Sequence, residues 1–115
     1  MRRFVKSFGY AAKGLAFALQ TQLNLRVHLS AAVLVLLLGF YVGLSWVEWA
    51  IILLCIGLVI GLELVNTAVE VLVDLVSPEW NHKAGIIKDV SAAAVLVAAI
   101  IALIVAVIIF VPKSF

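Results

Sequence analysis

The polar residues best suited to chemistry stand together in the stretch ELVNTAVEVLVD, positions 63–74, at the end of a long apolar run. An ionisable group at membrane depth costs roughly 2.5–3.5 kcal/mol on insertion scales, so a carboxylate placed there indicates a functional site. At 100° per residue, the polar members of the stretch all lie within about 60° of its first glutamate. They are Glu63, Asn66, Thr67, Glu70 and Asp74. One shared stripe predicts one wet cleft between helices.

Glu63 and Glu70 stand two turns apart on this stripe, and two like charges so close need a cation, a proton or a bound metal. Asn66 or Thr67 alone would be explained by a hydrogen bond that holds two helices together. The pair of carboxylates instead favours a site. Asp74 would lie near the headgroups, with Glu63 about 16 Å further into the membrane at 1.5 Å per residue.

The loop SPEWNHKAGIIKDV, which follows the stripe, adds a cation to it. Lys88 and Asp89 stand at the entry to the next apolar segment, on the side of the membrane where Asp74 lies. A lysine beside carboxylates that can bind Mg²⁺ is typical of a phosphate site. An interfacial lysine that extends to the headgroups explains Lys88 equally well. Trp80 in the same loop is either an interfacial anchor or a ring that stacks on a base.

The composition shows which solvent these residues face. The chain has 115 residues, of which 67% are hydrophobic and 12% charged, whereas about half of a soluble protein is apolar. Three segments reach the roughly 20 apolar residues that a membrane helix needs, at 27–46, 47–76 and 91–111. The predicted fold class is therefore an all-α integral membrane protein with three transmembrane helices, in one domain of residues 1–115.

The segment 3–24 before these spans has a different pattern. Its apolar residues recur at helical spacing, and basic or polar residues lie between them. The apolar set is Phe4, Phe8, Ala11, Leu15 and Ala18; the polar set is Arg3, Lys6, Lys13 and Gln20. This pattern predicts an amphipathic helix on the membrane surface. A plain cytoplasmic lead-in is the alternative.

Basic residues predict the orientation of the spans, because short cytoplasmic flanks are rich in lysine and arginine. Five basic residues precede the first span, and the second loop holds Lys83 and Lys88. The N-terminus and that loop should both be cytoplasmic. Trp46 and Trp49 suit the opposite interface, where amphipathic rings settle.

Small residues mark where helices approach closely. Two GxxxG pairs occur, and the third span carries an alanine ladder with a four-residue period. These residues are Gly39 and Gly43, Gly57 and Gly61, and Ala94, Ala98, Ala102 and Ala106. Such stripes favour tight helix packing in lipid. A three-span protomer of this size is expected to form an oligomer.

Several classes of protein are excluded by what the sequence lacks. It contains neither GxxxxGK[ST] nor GxGxxG, so it is neither a P-loop enzyme nor an ordinary protein kinase. A single cysteine and two histidines leave no disulfide framework and no zinc-type spacing. Buried carboxylates also serve proton relays, so the chemistry alone leaves a kinase and a proton-coupled carrier both open.

Three motifs, ELVNTAVEVLVDL, SPEW and KDVSAAAVLV, follow one another along the chain. Together they resemble the bacterial integral-membrane diacylglycerol kinase family, and the upstream GYAAKGL and NLRVH are similar to its N-terminal motifs. The resemblance covers nearly the whole chain and is nearer to the undecaprenol kinase branch of Gram-positive type. It implies a homotrimer of three-span protomers with surface helices and with active sites at subunit boundaries. The reaction implied is transfer of the γ-phosphoryl of MgATP to the primary hydroxyl of a membrane lipid.

The resemblance also implies a role for each matching residue. Glu63 would be the general base, Asn66 would orient it, and Lys88 would bind the phosphates. Glu70 would be the main Mg²⁺ ligand. The positions that would bind the nucleotide are Arg3, Tyr10, Asp74, Glu79, Trp80, Lys88 and Asp89.

One position departs from the family pattern. The family motif TExNxRxH has a glutamate as a further metal ligand, and this chain has Gln22 there, in TQLNLRVH. A neutral amide binds Mg²⁺ more weakly than a carboxylate and removes one negative charge from the site.

The resulting hypothesis is an ATP-dependent lipid kinase with Mg²⁺, most consistent with undecaprenol as the acceptor lipid. Diacylglycerol is the alternative acceptor, and a proton-coupled carrier or a non-catalytic membrane subunit is the alternative from another class. The expected location is the bacterial cytoplasmic membrane, with the N-terminus and active site on the cytoplasmic side. No nucleic-acid partner is expected.

Overall fold

The computed structural model describes residues 1–114 as four consecutive helices. They are α1 (Arg2–Thr21), α2 (Leu23–Val42), α3 (Trp46–Val76) and α4 (His82–Ser114). Helices α2, α3 and α4 are each long and apolar enough to cross a membrane. The predicted all-α class with three spans is thereby confirmed. Helix α1 ends three residues before the limit of 24 predicted for the first segment, and α4 begins nine residues before the predicted span 91–111.

A single residue, Gln22, separates α1 from α2. Its backbone is extended, with φ −112° and ψ 107°, and its N–H donates to the carbonyl of Ala18 at 2.8 Å. Gln22 therefore closes the last turn of α1 and precedes the first turn of α2. The backbone of this one residue sets the angle between the two helices.

The turn between α2 and α3 is held by local backbone chemistry. Gly43 ends α2 with φ +74°, a conformation that a side chain disfavours. Ser45 and Glu48 form a reciprocal capping box at the start of α3, with bonds of 3.0 and 3.2 Å. Gly43 thus terminates a helix, and the predicted packing role of the Gly39–Gly43 pair falls to Gly39 alone. A Cβ on Gly39 would lie 2.7 Å from the Trp49 ring.

Ion pairs join α3 and α4 at both ends. Lys88 Nζ lies 2.6 Å from Asp74 Oδ1 near the loop between these helices, and Lys113 Nζ lies 3.0 Å from Glu48 Oε1 at the far end. The two helices therefore run antiparallel along their whole length. Helix α3 ends at Val76, two residues before Pro78, which disfavours continuation of the helix.

The apolar core lies toward the end of the protomer remote from the polar stripe. Leu44, Ile52 and Ile109 form a buried cluster there. Elsewhere the spans are largely exposed, as expected of helices whose surroundings are lipid or other subunits. Within residues 1–114, a Cβ added at Gly57 or Gly61 would meet nothing within 4 Å. Any close helix packing at these two glycines would have to come from outside the protomer.

Candidate active site

The polar stripe of α3 passes from the protein interior to its surface. Glu63, Asn66 and Thr67 are 1%, 5% and 4% exposed. Glu70 is half-buried and Asp74 is exposed. The three buried members share the face of α3 that packs inside the protomer, as the helical spacing predicts. The stripe therefore runs from a buried carboxylate, Glu63, to an exposed one, Asp74, which marks its open end.

Two buried oxygen atoms on this stripe have no hydrogen-bond partner among the described residues. They are Glu63 Oε1 and Asn66 Oδ1. An unpaired buried polar atom costs about 1–3 kcal/mol from protein mutational data, so each such atom in a native fold calls for an explanation such as a catalytic role, a bound ion or ordered water. By contrast, the Thr67 hydroxyl donates to the Glu63 carbonyl at 2.9 Å, which gives it a structural role. The unpaired oxygens point to a ligand or a substrate group.

A histidine from α2 reaches the buried carboxylate. His28 Nε2 lies 3.7 Å from Glu63 Oε2, and its side chain is 24% exposed. Spacing along the chain did not identify this residue, because the contact joins two helices. The only local signal was its position at the end of NLRVH, one of the motifs that carry the family resemblance.

The His28–Glu63 contact also sets the relative depth of other residues. A short turn at residues 43–45 connects α2 to α3, so the two helices run in opposite directions. Gln22 lies six residues before His28 and Glu70 seven residues after Glu63, which are distances of about 9 and 10 Å along the two axes. Gln22 and Glu70 therefore lie at similar depth, and Gln22 is half-buried.

The oxygen atoms at this end would suit a magnesium ion that is held jointly with a nucleotide. Among residues 1–114 no three histidine, cysteine or acidic side chains gather into a complete metal cage. Mg²⁺ usually takes only one or two protein carboxylates and completes its shell with phosphates and water. Glu70 fits that requirement, with the amide oxygen of Asn66 one turn away on the same stripe and with Gln22 at a similar depth.

A small pocket lies at the open end of the stripe, between the end of α3 and the start of α4. Its volume is about 110 Å³, and Asp74, Trp80 and Lys88 all line it. The Trp80 ring lies against Gly85, where a Cβ would stand 3.3 Å from the indole nitrogen. Three of the predicted nucleotide-binding residues thus surround one opening. Lys88 is bound to Asp74 there rather than standing alone.

The remaining predicted nucleotide residues do not line this pocket. Arg3 and Tyr10 are exposed on α1, where the Tyr10 ring lies 6.0 Å from Lys13 Nζ. Glu79 and Asp89 are exposed beside the pocket-lining residues. Their part in nucleotide binding stays a prediction.

An apolar groove adjoins the buried end of the stripe. It has a volume of about 230 Å³ and is lined by side chains from α2, α3 and α4. Small residues such as Ala99, Ala102 and Ala106 leave the space open on the α4 side. His28 lies at this groove and also touches Glu63, so it connects the apolar space with the carboxylate.

Comparison with known proteins identifies the family. Residues 9–110 match the model of the prokaryotic diacylglycerol kinases. The chain belongs to this family. The resemblance seen in the motifs is thereby confirmed, and so is the prediction of a kinase.

The relatives of this chain are named as kinases of two different lipids. An undecaprenol kinase from Bacillus subtilis is 44% identical over 113 residues, which cover 98% of this chain and 92% of the relative. A diacylglycerol kinase from Synechocystis is 41% identical over 100 residues, covering 86% of this chain and 57% of the relative. A diacylglycerol kinase from Escherichia coli is 30% identical over 102 residues, covering 89% and 84%.

Proposed function

We propose that this protein is an ATP-dependent lipid kinase that transfers the γ-phosphoryl of MgATP to the primary hydroxyl of undecaprenol. The observation that carries the proposal is the buried Glu63 carboxylate, which has one oxygen without a partner in the part of the chain that the structure describes and stands on a stripe that leads to Lys88. Such a stripe can receive a lipid alcohol from the membrane and a nucleotide from water. Family membership supports the same reaction.

Glu63 is the general base of the proposed reaction. Its free Oε1 accepts the proton of the lipid hydroxyl while the hydroxyl oxygen forms a bond to the γ-phosphorus. The bond from that phosphorus to the bridging oxygen breaks, and ADP leaves with the electron pair. Asn66 orients the base from one turn away. Such positioning accounts for much of the catalysis in phosphoryl transfer, because the protein does little covalent chemistry.

Glu70 is the proposed Mg²⁺ ligand, with Gln22 contributing a weaker amide oxygen. When bound, the ion supplies neutralisation of the charge on the β- and γ-phosphate oxygens. The stripe then has its base at the buried end and its metal ligand nearer the surface. That order matches an acceptor that comes from the membrane and a donor that comes from water.

The pocket lined by Asp74, Trp80 and Lys88 is the proposed entry site for the nucleotide. Lys88 exchanges Asp74 for a phosphate oxygen, which is feasible because exposed ion pairs contribute only about 0–1 kcal/mol. Trp80 stacks on the base. Residues outside the pocket complete the nucleotide site in the assembled protein: Arg3, Tyr10, Glu79 and Asp89.

The proposed assembly is a homotrimer in the bacterial cytoplasmic membrane, with α1 as an amphipathic surface helix. The open faces at Gly57 and Gly61 support contacts between subunits. The lysine and arginine residues support a cytoplasmic N-terminus and a cytoplasmic α3–α4 loop. The exposed phenylalanine side chains of α1, Phe4 and Phe8, support burial of that helix in the interface.

Transfer of labelled γ-phosphate to lipid in mixed micelles tests the proposal. Undecaprenol and diacylglycerol are offered to the purified protein side by side, with MgATP. Preference for undecaprenol supports the proposed acceptor, which the undecaprenol kinase relative also favours. Preference for diacylglycerol would support the lipid kinase activity and replace undecaprenol as the proposed acceptor. Absence of transfer to either lipid, in both the wild type and the Gln22→Glu variant, overturns the kinase, and solute flux without ATP would then indicate a carrier.

A further inference from the structure

The contact between His28 and Glu63 assigns a function to a histidine that the proposed reaction has not yet used. We propose that His28 is a positioning residue, which holds Oε2 of the Glu63 carboxylate so that Oε1 faces the acceptor hydroxyl. This inference rests on the proposed function, in which Glu63 accepts the proton of that hydroxyl. Its basis is the unequal environment of the two carboxylate oxygens.

The two oxygens of Glu63 differ in their partners. Oε2 lies 3.7 Å from His28 Nε2, whereas Oε1 has no hydrogen-bond partner among the described residues. A separation of 3.7 Å is within ion-pair range and longer than a hydrogen bond. Contacts of this kind are often long in an unliganded site and shorten when substrate binds. The imidazole therefore occupies one side of the carboxylate and leaves the other side for a substrate.

The carboxylate needs such a partner because little else holds it. Glu63 is 1% exposed, so bulk water does not solvate it. The neighbouring Thr67 hydroxyl donates to the Glu63 backbone carbonyl and not to its carboxylate. An imidazole N–H, which both the neutral Nε2–H tautomer and the imidazolium provide, can supply the missing donor. A buried base held by one donor keeps its free oxygen in a defined direction.

The position of His28 also relates the carboxylate to the apolar groove. Its side chain is 24% exposed and lies at the apolar groove between α2, α3 and α4. A lipid alcohol that approaches from the hydrocarbon would pass the imidazole before it reaches Glu63. His28 therefore lies between the groove and the base that it positions.

Two substitutions at position 28 separate positioning from packing. The glutamine amide nitrogen occupies nearly the same place as histidine Nε2 and can donate a hydrogen bond, so His28→Gln should retain turnover within about threefold. His28→Leu keeps an apolar filling for the groove but lacks a donor, and should lower kcat by about tenfold, as loss of an orienting partner commonly does. KM for MgATP should stay within about twofold, since His28 does not touch the nucleotide pocket. His82→Leu, at the other histidine of the chain, is the matched control.

A double-mutant cycle tests whether His28 acts through Glu63. In a Glu63→Gln background, His28→Leu should change the residual rate by less than about twofold, because the carboxylate that it positions is already absent. Independent, multiplicative losses would overturn the proposal. Equal losses for His28→Gln and His28→Leu, accompanied by lower stability of both, would show a packing role and overturn it as well.

The contact can also be tested without any turnover. The chain has only two histidines, so ¹⁵N-labelled imidazole signals in micelles separate into two sets. Glu63→Gln should shift the His28 signals and leave those of His82 unchanged, and Glu48→Gln should shift neither. Unshifted His28 signals in Glu63→Gln would overturn the contact. An inactive wild type that still shows the shift would overturn the proposed function and the catalytic role of His28, while leaving the contact itself established.

Discussion

Lys88 Nζ lies 2.6 Å from Asp74 Oδ1, and this ion pair lies at the solvent-exposed end of the polar stripe. The two side chains are 39% and 66% exposed, so water screens the pair and its contribution to stability is small. The pair lies in the wall of the pocket proposed for the nucleotide. A lysine held in this way is already positioned for an incoming phosphate and loses little when it changes partner.

Replacing Lys88 should therefore weaken nucleotide binding. Lys88→Met is expected to raise KM for MgATP by about ten- to a hundredfold, because one charge-assisted bond to phosphate, worth about 1.5–3 kcal/mol, is lost. Lys83→Met removes an exposed lysine from the same region and should leave KM unchanged. Initial rates at varied MgATP measure both variants. An unchanged KM in Lys88→Met would remove this lysine from the nucleotide site.

Glu70→Gln should abolish lipid phosphorylation. The change keeps the size of the side chain and removes the carboxylate charge that Mg²⁺ prefers, and a loss of at least about a hundredfold in kcat is expected for a missing metal ligand. Glu48→Gln, at the opposite end of α3, is the control, because Glu48 pairs with Lys113 far from the stripe. Size-exclusion chromatography in detergent should find the same assembly in both variants. Full activity of Glu70→Gln would refute its assignment as the metal ligand.

Gln22→Glu should strengthen Mg²⁺ binding, which is the opposite of the effect expected for Glu70→Gln. A carboxylate at the level of Glu70 adds a charged oxygen. The Mg²⁺ concentration that gives half-maximal activity should therefore fall by about three- to tenfold. Gln20→Glu places the same charge on an exposed position of α1 and serves as the control. Activity measured against free Mg²⁺ at saturating ATP gives the comparison. Identical curves for all three proteins would place Gln22 outside the metal shell.

Gly39→Ala should destabilise the protomer, because its Cβ would stand 2.7 Å from the Trp49 ring and 2.9 Å from Leu44. Overpacking of this kind costs about 1–3 kcal/mol of the free energy of unfolding. Gly57→Ala adds the same methyl group where nothing lies within 4 Å in the protomer, and should leave the free energy of unfolding of the protomer unchanged or slightly higher. Unfolding by denaturing detergent in mixed micelles compares them. Equal stabilities would mean that the Trp49 ring moves aside without cost.

The spans and the stripe could be predicted from sequence, because lipid imposes both a minimum apolar length and a single face for polar residues. The break at Gln22 was missed, since Leu23 and Leu25 continue the helical pattern on its far side. The early start of α4 follows from Asn81, whose Oδ1 accepts the N–H of Ala84 at 2.9 Å as a helix cap. That signal was local and readable, as was the Ser45–Glu48 capping box.

The contact between His28 and Glu63, by contrast, could not be predicted from local sequence. It depends on how α2 packs against α3, and no spacing within either helix encodes it. The unpaired state of Glu63 Oε1 likewise appears only once every neighbouring donor has been placed. Residue types identify the groups that can do chemistry, whereas packing determines which of their atoms remain available.

The unequal lengths of the helices couple the site to the hydrophobic thickness of the bilayer. Helix α2 has 20 residues and α3 has 31, which correspond to about 30 and 46 Å against a hydrocarbon layer of about 30 Å. When both helices are measured along their axes from the His28–Glu63 contact, the end of α3 lies about 12 Å further out than the start of α2. This overhang carries Glu70 and Asp74. A thicker membrane should draw the overhang toward the hydrocarbon and a thinner one should release it into the headgroups, so we expect lipid chain length alone to change the hydration of the end proposed to bind phosphate.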